Sequence, residues 1–195
     1  DDGPALLFER PVRADGVPST IPVLVNLFGA VRRVAWGLGV EPKALPRLGE
    51  ALAALRHPVP PADLRDAWRK LPMARAALSM RPKETLSPSV QAEVLTGAAV
   101  DLSLLPAQLS WPGEPAPLIT WPLVITRPPD EEPGEENVGV YRMQVLGRDR
   151  AIVRWLAHRG GAAHHRLWRR RGRDMPVAVA IGADPATMLA AAMPI

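Results

Sequence analysis

Residues 138–146 and 150–156 constrain what this chain can fold into more than any other part of it. Both stretches are strand-like, rich in β-branched and aromatic residues, and Gly147 with its neighbours Arg148-Asp149 stands between them. Glycine and aspartate supply turn geometry, so the pattern predicts an antiparallel hairpin. On its first strand Val140, Arg142 and Gln144 fall on one face, and Tyr141, Met143 and Val145 on the other. Residues 118–126 read as a further strand before the hairpin and 177–181 as one after it. Gly160-Gly161 leads into a helix over 162–171, and Asp184-Pro185 offers an N-cap followed by proline at the first helical position for a helix reaching Ala192.

The first half is patterned differently. Residues 5–8 and 21–26 are short apolar runs that read as buried strands. After Gly29, Val31, Val34, Ala35 and Leu38 recur at helical spacing until Gly39 stops them, and strand, glycine turn and helix in succession is an α/β signal. Leu45, Leu48, Leu52 and Leu55 line one face of a second helix that Pro58, Pro60 and Pro61 end. A short helix is expected over 62–70, with Leu64, Ala67, Trp68 and Leu71 toward the core, and a separate helical piece over 73–80. Residues 81–117 are rich in Pro and Ser, which places a boundary near Gly97. The expected organisation is an α/β (α+β) chain, with an amino-terminal region 1–97 and a second region 98–195.

Composition narrows the classes. Hydrophobic residues at 47% and charged residues at 23% suit a globular protein with a real core, and no apolar run approaches the roughly 20 residues a membrane span needs. The start, Asp1-Asp2-Gly3-Pro4, shows no secretory leader, which fits a chain beginning in mid-protein. Cysteine is absent, so disulfides, thiolate metal sites and thiol nucleophiles are excluded, and a reducing cytosol is weakly favoured. The net charge of +4 rests on arginine, since lysine occurs only at Lys43, Lys70 and Lys83, so it argues little for a nucleic-acid partner. No G-x-S-x-G elbow, P-loop or G-x-G-x-x-G fingerprint is present.

Four histidines occur, and His57 reads as an exposed cap before Pro58. His158 ends a strand-like stretch and precedes Arg159-Gly160-Gly161, so an imidazole, a guanidinium and a close-approach glycine turn arrive where a helix begins. Such a turn suits a phosphate, because helix amino-terminal amides face the anion. Hairpin pairing would bring Asn137 and His158 toward one end, a mixed oxygen and nitrogen pair compatible with manganese or magnesium; local packing of each residue stands as the equal alternative. Arg142 and Arg154 lie in otherwise apolar stretches and must reach solvent, a carboxylate or a phosphate. The acidic run 130–136 reads as a solvated loop without chemistry. His164, His165, Arg166, Arg169, Arg170, Arg171 and Arg173 read as the outer face of a helix, with Leu167 and Trp168 turned inward.

Six strings in order, PALLFE at 4–9, VLVNLFG at 23–29, PLITWPLVITR at 117–127, NVGVYRMQVLGRDR at 137–150, RWLAHRGGA at 154–162 and VAVAIGADPATMLAA at 177–191, resemble UbiD-type decarboxylases, among them the 4-hydroxy-3-polyprenylbenzoate decarboxylase of ubiquinone synthesis. The resemblance covers nearly the whole chain. It implies reversible, non-oxidative decarboxylation of an aromatic or α,β-unsaturated acid by prenylated FMN, held in a split β-barrel through Mn2+ and K+. By position, Asn137 and His158 would be metal ligands. Val140, Tyr141 and Arg142, then Arg154, Trp155 and Leu156, then Arg159 and Gly160, would line the cofactor, and Arg142 would also orient the substrate carboxylate.

The resemblance further implies a small-molecule aromatic acid as substrate, a prenyltransferase that supplies the prenylated flavin, a homo-oligomeric full-length protein and a cytoplasmic location with peripheral membrane contact. The family's third metal ligand, a glutamate, and its acid/base glutamates would lie beyond residue 195, so this chain alone is expected to be inactive. Pro122 stands where family members commonly carry glycine. A basic RNA- or membrane-associated module, discriminated by salt-dependent binding, and a flavoprotein using plain FMN are the rival readings.

Overall fold

A computed structural model describes residues 3–13, 15–56, 60–78, 83–130 and 135–193. The expected mixture of helix and sheet forms, and every strand pairing among the described residues is antiparallel. β1 (Leu6–Phe8) and β2 (Val23–Val25) make a two-stranded ribbon. They lie where strands were expected, but not buried: Leu6, Leu7, Phe8 and Leu24 are exposed. An isolated ribbon pairs its backbone without covering its faces, and apolar composition alone does not supply the covering layer.

α1 (Val31–Gly37) follows, and Gly39, at φ 70°, takes the left-handed conformation that stops it. A 3-10 turn (Pro42–Ala44) leads into α2 (Leu45–Arg56). The two expected helical pieces beyond it are one helix, α3 (Leu64–Leu78), which runs through Pro72. Proline there forfeits one backbone donor without ending the helix. Leu64 and Trp68, expected in the core, are exposed at 84% and 74%. Helical spacing defines a stripe; it does not provide the surface that meets it. His57 and Pro58, and the end of the expected piece at 79–80, lie outside the described residues. The region from Ser89 to Leu104 contains only single 3-10 turns (Ser89–Gln91, Gly97–Ala99, Leu102–Leu104).

The second half holds two three-stranded sheets, of order β3-β6-β7 and β5-β4-β8, and no closed barrel among the described residues. Two stretches expected to be single strands are each divided between them. Residues 118–126 become β3 (Leu118–Ile119) and β4 (Leu123–Thr126), and residues 137–145 become β5 (Asn137–Val140) and β6 (Met143–Val145). Ile119 pairs with Met143, and Leu123 with Val140. Residues 120–122 therefore face only 141–142, and this one-residue mismatch bends the ladder as a bulge does. The shared face expected for Val140, Arg142 and Gln144 is broken at that bend.

The hairpin itself is present: β6 pairs with β7 (Ala151–Val153), and the Leu146 and Gly147 amides donate to the Arg150 carbonyl at 2.9 and 3.2 Å. Its second strand is shorter than expected, because residues 154–156 leave the ladder. β4 is the centre of the core, between β5 and β8 (Val177–Ala180), and Pro122, Leu123, Val124 and Thr126 are fully buried there. α4 (Gly160–Arg170) packs across β4 and β5. α5 (Pro185–Ala192) packs on β5 and reaches α1, and Asp184 caps it as expected through the Thr187 amide at 3.1 Å.

Candidate functional site at the start of α4

Asn137 opens β5 opposite Thr126 of β4, and α4 lies across these same strands. This brings Asn137 against the first helical residue. A Cβ built on Gly160 would stand 2.2 Å from Asn137 Oδ1, so only glycine allows the approach. Asn137 Nδ2 donates to the Tyr141 phenol oxygen at 3.4 Å, while Oδ1 accepts no hydrogen bond among the described residues. The Gly161 amide donates to the same phenol oxygen at 3.2 Å. Trp155 lies on Gly161, where a Cβ would come within 2.4 Å of the indole, and meets the Tyr141 ring edge-on at 5.0 Å between centroids.

The residues expected to form a site thus divide into two groups. Asn137, Tyr141, Trp155, Gly160 and Gly161 are gathered by direct contact. His158 and Arg159 are exposed in the turn before α4, and Arg159 is its N-cap residue with no side chain capping the helix. Arg142, Arg154 and Leu156 are exposed, and Val140 is half-buried opposite Leu123. The first turn of α4 carries no acidic residue, so its amino-terminal amides and the Arg159 guanidinium offer positive potential. Among the described residues no three His, Cys, Asp or Glu side chains converge as a complete metal shell.

Several contacts escaped the sequence. His164, assigned to an outer basic face, shares a 2.9 Å hydrogen bond with the buried hydroxyl of Thr126. His165, assigned to the same face, stacks on Trp155 at 6.5 Å. Trp168 is buried as expected and donates to the Arg127 carbonyl at 2.8 Å, but Leu167 is exposed. Gly139 was assigned nothing, yet a Cβ there would lie 2.7 Å from the Tyr141 ring. A glycine inside a strand is itself a signal of such close approach. The basic cluster is partly engaged: Arg166 donates to the Ala157 carbonyl, Arg171 pairs with Asp130, and Arg173 lies over Trp168. Glu136 of the acidic run pairs with Arg127 at 3.2 Å; residues 131–134 lie outside the described residues.

Residues 81–195 match the family model described as 3-octaprenyl-4-hydroxybenzoate carboxy-lyase Rift-related domain, and residues 1–52 match the model of the amino-terminal domain of the same family. The chain belongs to the UbiD family. Among solved structures, an evolved dimeric form of the UbiD-class enzyme HmfF from Pelotomaculum thermopropionicum, in complex with prFMN, is 27% identical with a TM-score of 0.66 over 93% of this chain and 36% of that one. The vanillic acid decarboxylase of Sedimentibacter hydroxybenzoicus in closed form gives a TM-score of 0.70 at 21% identity, over 98% of this chain and 36% of that one. The 3,4-dihydroxybenzoic acid decarboxylase of Enterobacter cloacae gives 0.63 at 23%, over 94% and 33%. The UbiD chain described here therefore spans about a third of the length of these structures, and the last two show likeness of fold. No helix among its described residues is long and apolar enough to cross a membrane.

Proposed function

We propose that this chain is the flavin-phosphate-holding part of a UbiD-family decarboxylase acting on an aromatic acid. The observation that carries the reading is the junction of Asn137 with Gly160: an amide oxygen that accepts no hydrogen bond among the described residues lies against the start of α4, where the Arg159 side chain makes no capping bond. Asn137 Oδ1 and the His158 imidazole are a suitable oxygen and nitrogen pair for Mn2+, and phosphate oxygens would complete much of the shell. The first-turn α4 amides other than that of Gly161, which the Tyr141 phenol holds, and Arg159 would hold the phosphate, with K+ as a second cation. The HmfF structures with prFMN and with FMN support a flavin as the resident cofactor, prenylated in the reading preferred here.

When bound, prenylated FMN supplies an electron sink as carbon dioxide leaves the substrate. The protein supplies position and charge. Arg142, exposed just past the bend between β5 and β6, would orient the carboxylate by paired hydrogen bonds. The proton that replaces carbon dioxide requires a general acid, a role assigned to no residue of this chain. The family description and the two decarboxylases above name 3-octaprenyl-4-hydroxybenzoic, vanillic and 3,4-dihydroxybenzoic acids. All are 4-hydroxybenzoates substituted at the 3 position, and the polyprenyl member, used in ubiquinone synthesis, is the preferred substrate here. Homo-oligomerisation, a flavin prenyltransferase as supplier and a split-barrel frame completed by further strands belong to the same proposal.

The test uses the whole protein, loaded with prenylated FMN, Mn2+ and K+ and given carboxyl-labelled vanillate, 3,4-dihydroxybenzoate and a short-chain 3-prenyl-4-hydroxybenzoate. Labelled carbon dioxide should be released, in a reaction that needs the prenylated cofactor and is lost in Asn137→Ala. Absence of release from all three acids, with reduced-nicotinamide oxidation on plain FMN instead, would overturn the reading.

A further inference from the structure

Tyr141 stands at the bend where the chain passes from one three-stranded sheet to the other, and it is only 8% exposed. Its ring is enclosed rather than presented: Trp155 abuts it at 5.0 Å, and on the Gly139 side there is no room even for a methyl group. The phenol oxygen has two lone pairs, and both are engaged, by the Gly161 amide and by Asn137 Nδ2. The Gly161 amide is among the first-turn donors that have no acceptor within their own helix. With Nδ2 committed to the phenol, the Asn137 carboxamide must present Oδ1 on its other side, against Gly160.

Resting on the functional reading above, we infer that Tyr141 is a positioning residue rather than a cofactor-facing one. Its phenol oxygen ties the side chain of Asn137 to the start of α4. The oxygen offered to the metal and the amides offered to the phosphate are thereby held as one unit. The expected role of Tyr141 as part of the cofactor wall is replaced by a role behind it. Metal ligands held in this way lose affinity when the supporting hydrogen bond is removed, by about 10- to 100-fold.

Tyr141→Phe keeps the ring between Gly139 and Trp155 and removes only the acceptor. The experiment measures Mn2+ binding to the whole protein in the presence of FMN, by the loss of the free-ion paramagnetic resonance signal, at a temperature well below the unfolding transition. The Mn2+ dissociation constant should rise about 10- to 100-fold in Tyr141→Phe, and Asn137→Ala should bind more weakly still. A fluorinated tyrosine at 141, a poorer acceptor of unchanged shape, should fall between wild type and Phe, which covers the case in which the Phe variant does not fold. Melting temperatures separate the roles, because a purely structural tyrosine would lower them and leave the dissociation constant alone. An unchanged constant in Tyr141→Phe or in the fluorinated protein, with loss in Asn137→Ala, overturns the inference while leaving the metal site standing. Unchanged binding in Asn137→Ala overturns the metal reading itself and the inference with it.

Discussion

Gly161→Ala isolates the packing at the start of α4. The added Cβ would stand 2.4, 3.0 and 3.3 Å from three carbons of the Trp155 six-membered ring. Carbon atoms rest at about 3.5–4.0 Å, so the closest pair must separate by roughly 1 Å or more. Trp155 has little room to retreat, with the Tyr141 ring edge-on at 5.0 Å and His165 stacked at 6.5 Å. The helix is fastened as well, through Thr126 to His164 at 2.9 Å and Trp168 to Arg127 at 2.8 Å. Overpacking of this kind costs about 1–3 kcal/mol. Alanine recovers about 0.5–1 kcal/mol through its better helix propensity.

The net loss is about 0–2.5 kcal/mol, centred near 1, which at that centre is a fall in melting temperature of about 2–4 °C. Gly160→Ala is the internal control. Its clash is with the Asn137 carboxamide, Oδ1 at 2.2 Å and Cγ at 2.8 Å, which can turn away at the cost of its single 3.4 Å bond to Tyr141. It should therefore melt close to wild type, but with Asn137 displaced and metal-dependent flavin retention lost. Calorimetric melts of the two variants test the contrast. A Gly161→Ala protein as stable as wild type, or a Gly160→Ala protein equally destabilised, would refute the reasoning from rigid and yielding neighbours.

Leu123→Ala removes a fully buried side chain from the central strand β4 and should cost about 2–5 kcal/mol, read by denaturant midpoint at unchanged slope. Thr126→Val withdraws the hydroxyl that His164 uses and should cost about 1–3 kcal/mol while leaving the β4 pairings intact, with His164→Ala adding little to the valine variant. The Thr187 hydroxyl and amide hold the Asp184 carboxyl below its usual value of 3.8. A carboxylate whose folded pKa is lowered stabilises fully above the unfolded value and loses that contribution as pH falls through the folded one. Melting temperature should therefore fall with acid below about pH 4. Asp184→Asn should flatten part of that slope, with Asp15 and Asp101, lowered by their own hydrogen bonds, supplying the remainder.

Local chemistry was legible from the residues. The turn at Gly147, the stop at Gly39, the Asp184-Pro185 start of α5 and the ordered strings of the UbiD family each depend on a few neighbouring residues, and each lies where it was read. Asn137 and the Gly160-Gly161 pair could be picked out in the same way, because glycine at the start of a helix and a polar residue opening a strand carry their meaning locally.

What needed the tertiary structure was anything set by a distant partner. Periodicity gave residues 118–126 and 138–146 as unbroken strands, but the mismatch of residues 120–122 against 141–142 divides both between two sheets, and pairing register belongs to two segments at once. The outer or inner side of His164 and His165 turned on Thr126 and Trp155, which lie 38 and 10 residues away in the chain. The hairpin argument expected Asn137 and His158 toward one end; the fold adds the seat of Asn137 on Gly160 and the bonds of the Tyr141 phenol with Asn137 Nδ2 and the Gly161 amide. Residue type and order determined which groups are available near the start of α4. Only the packing of that helix across β4 and β5 decided which of them touch.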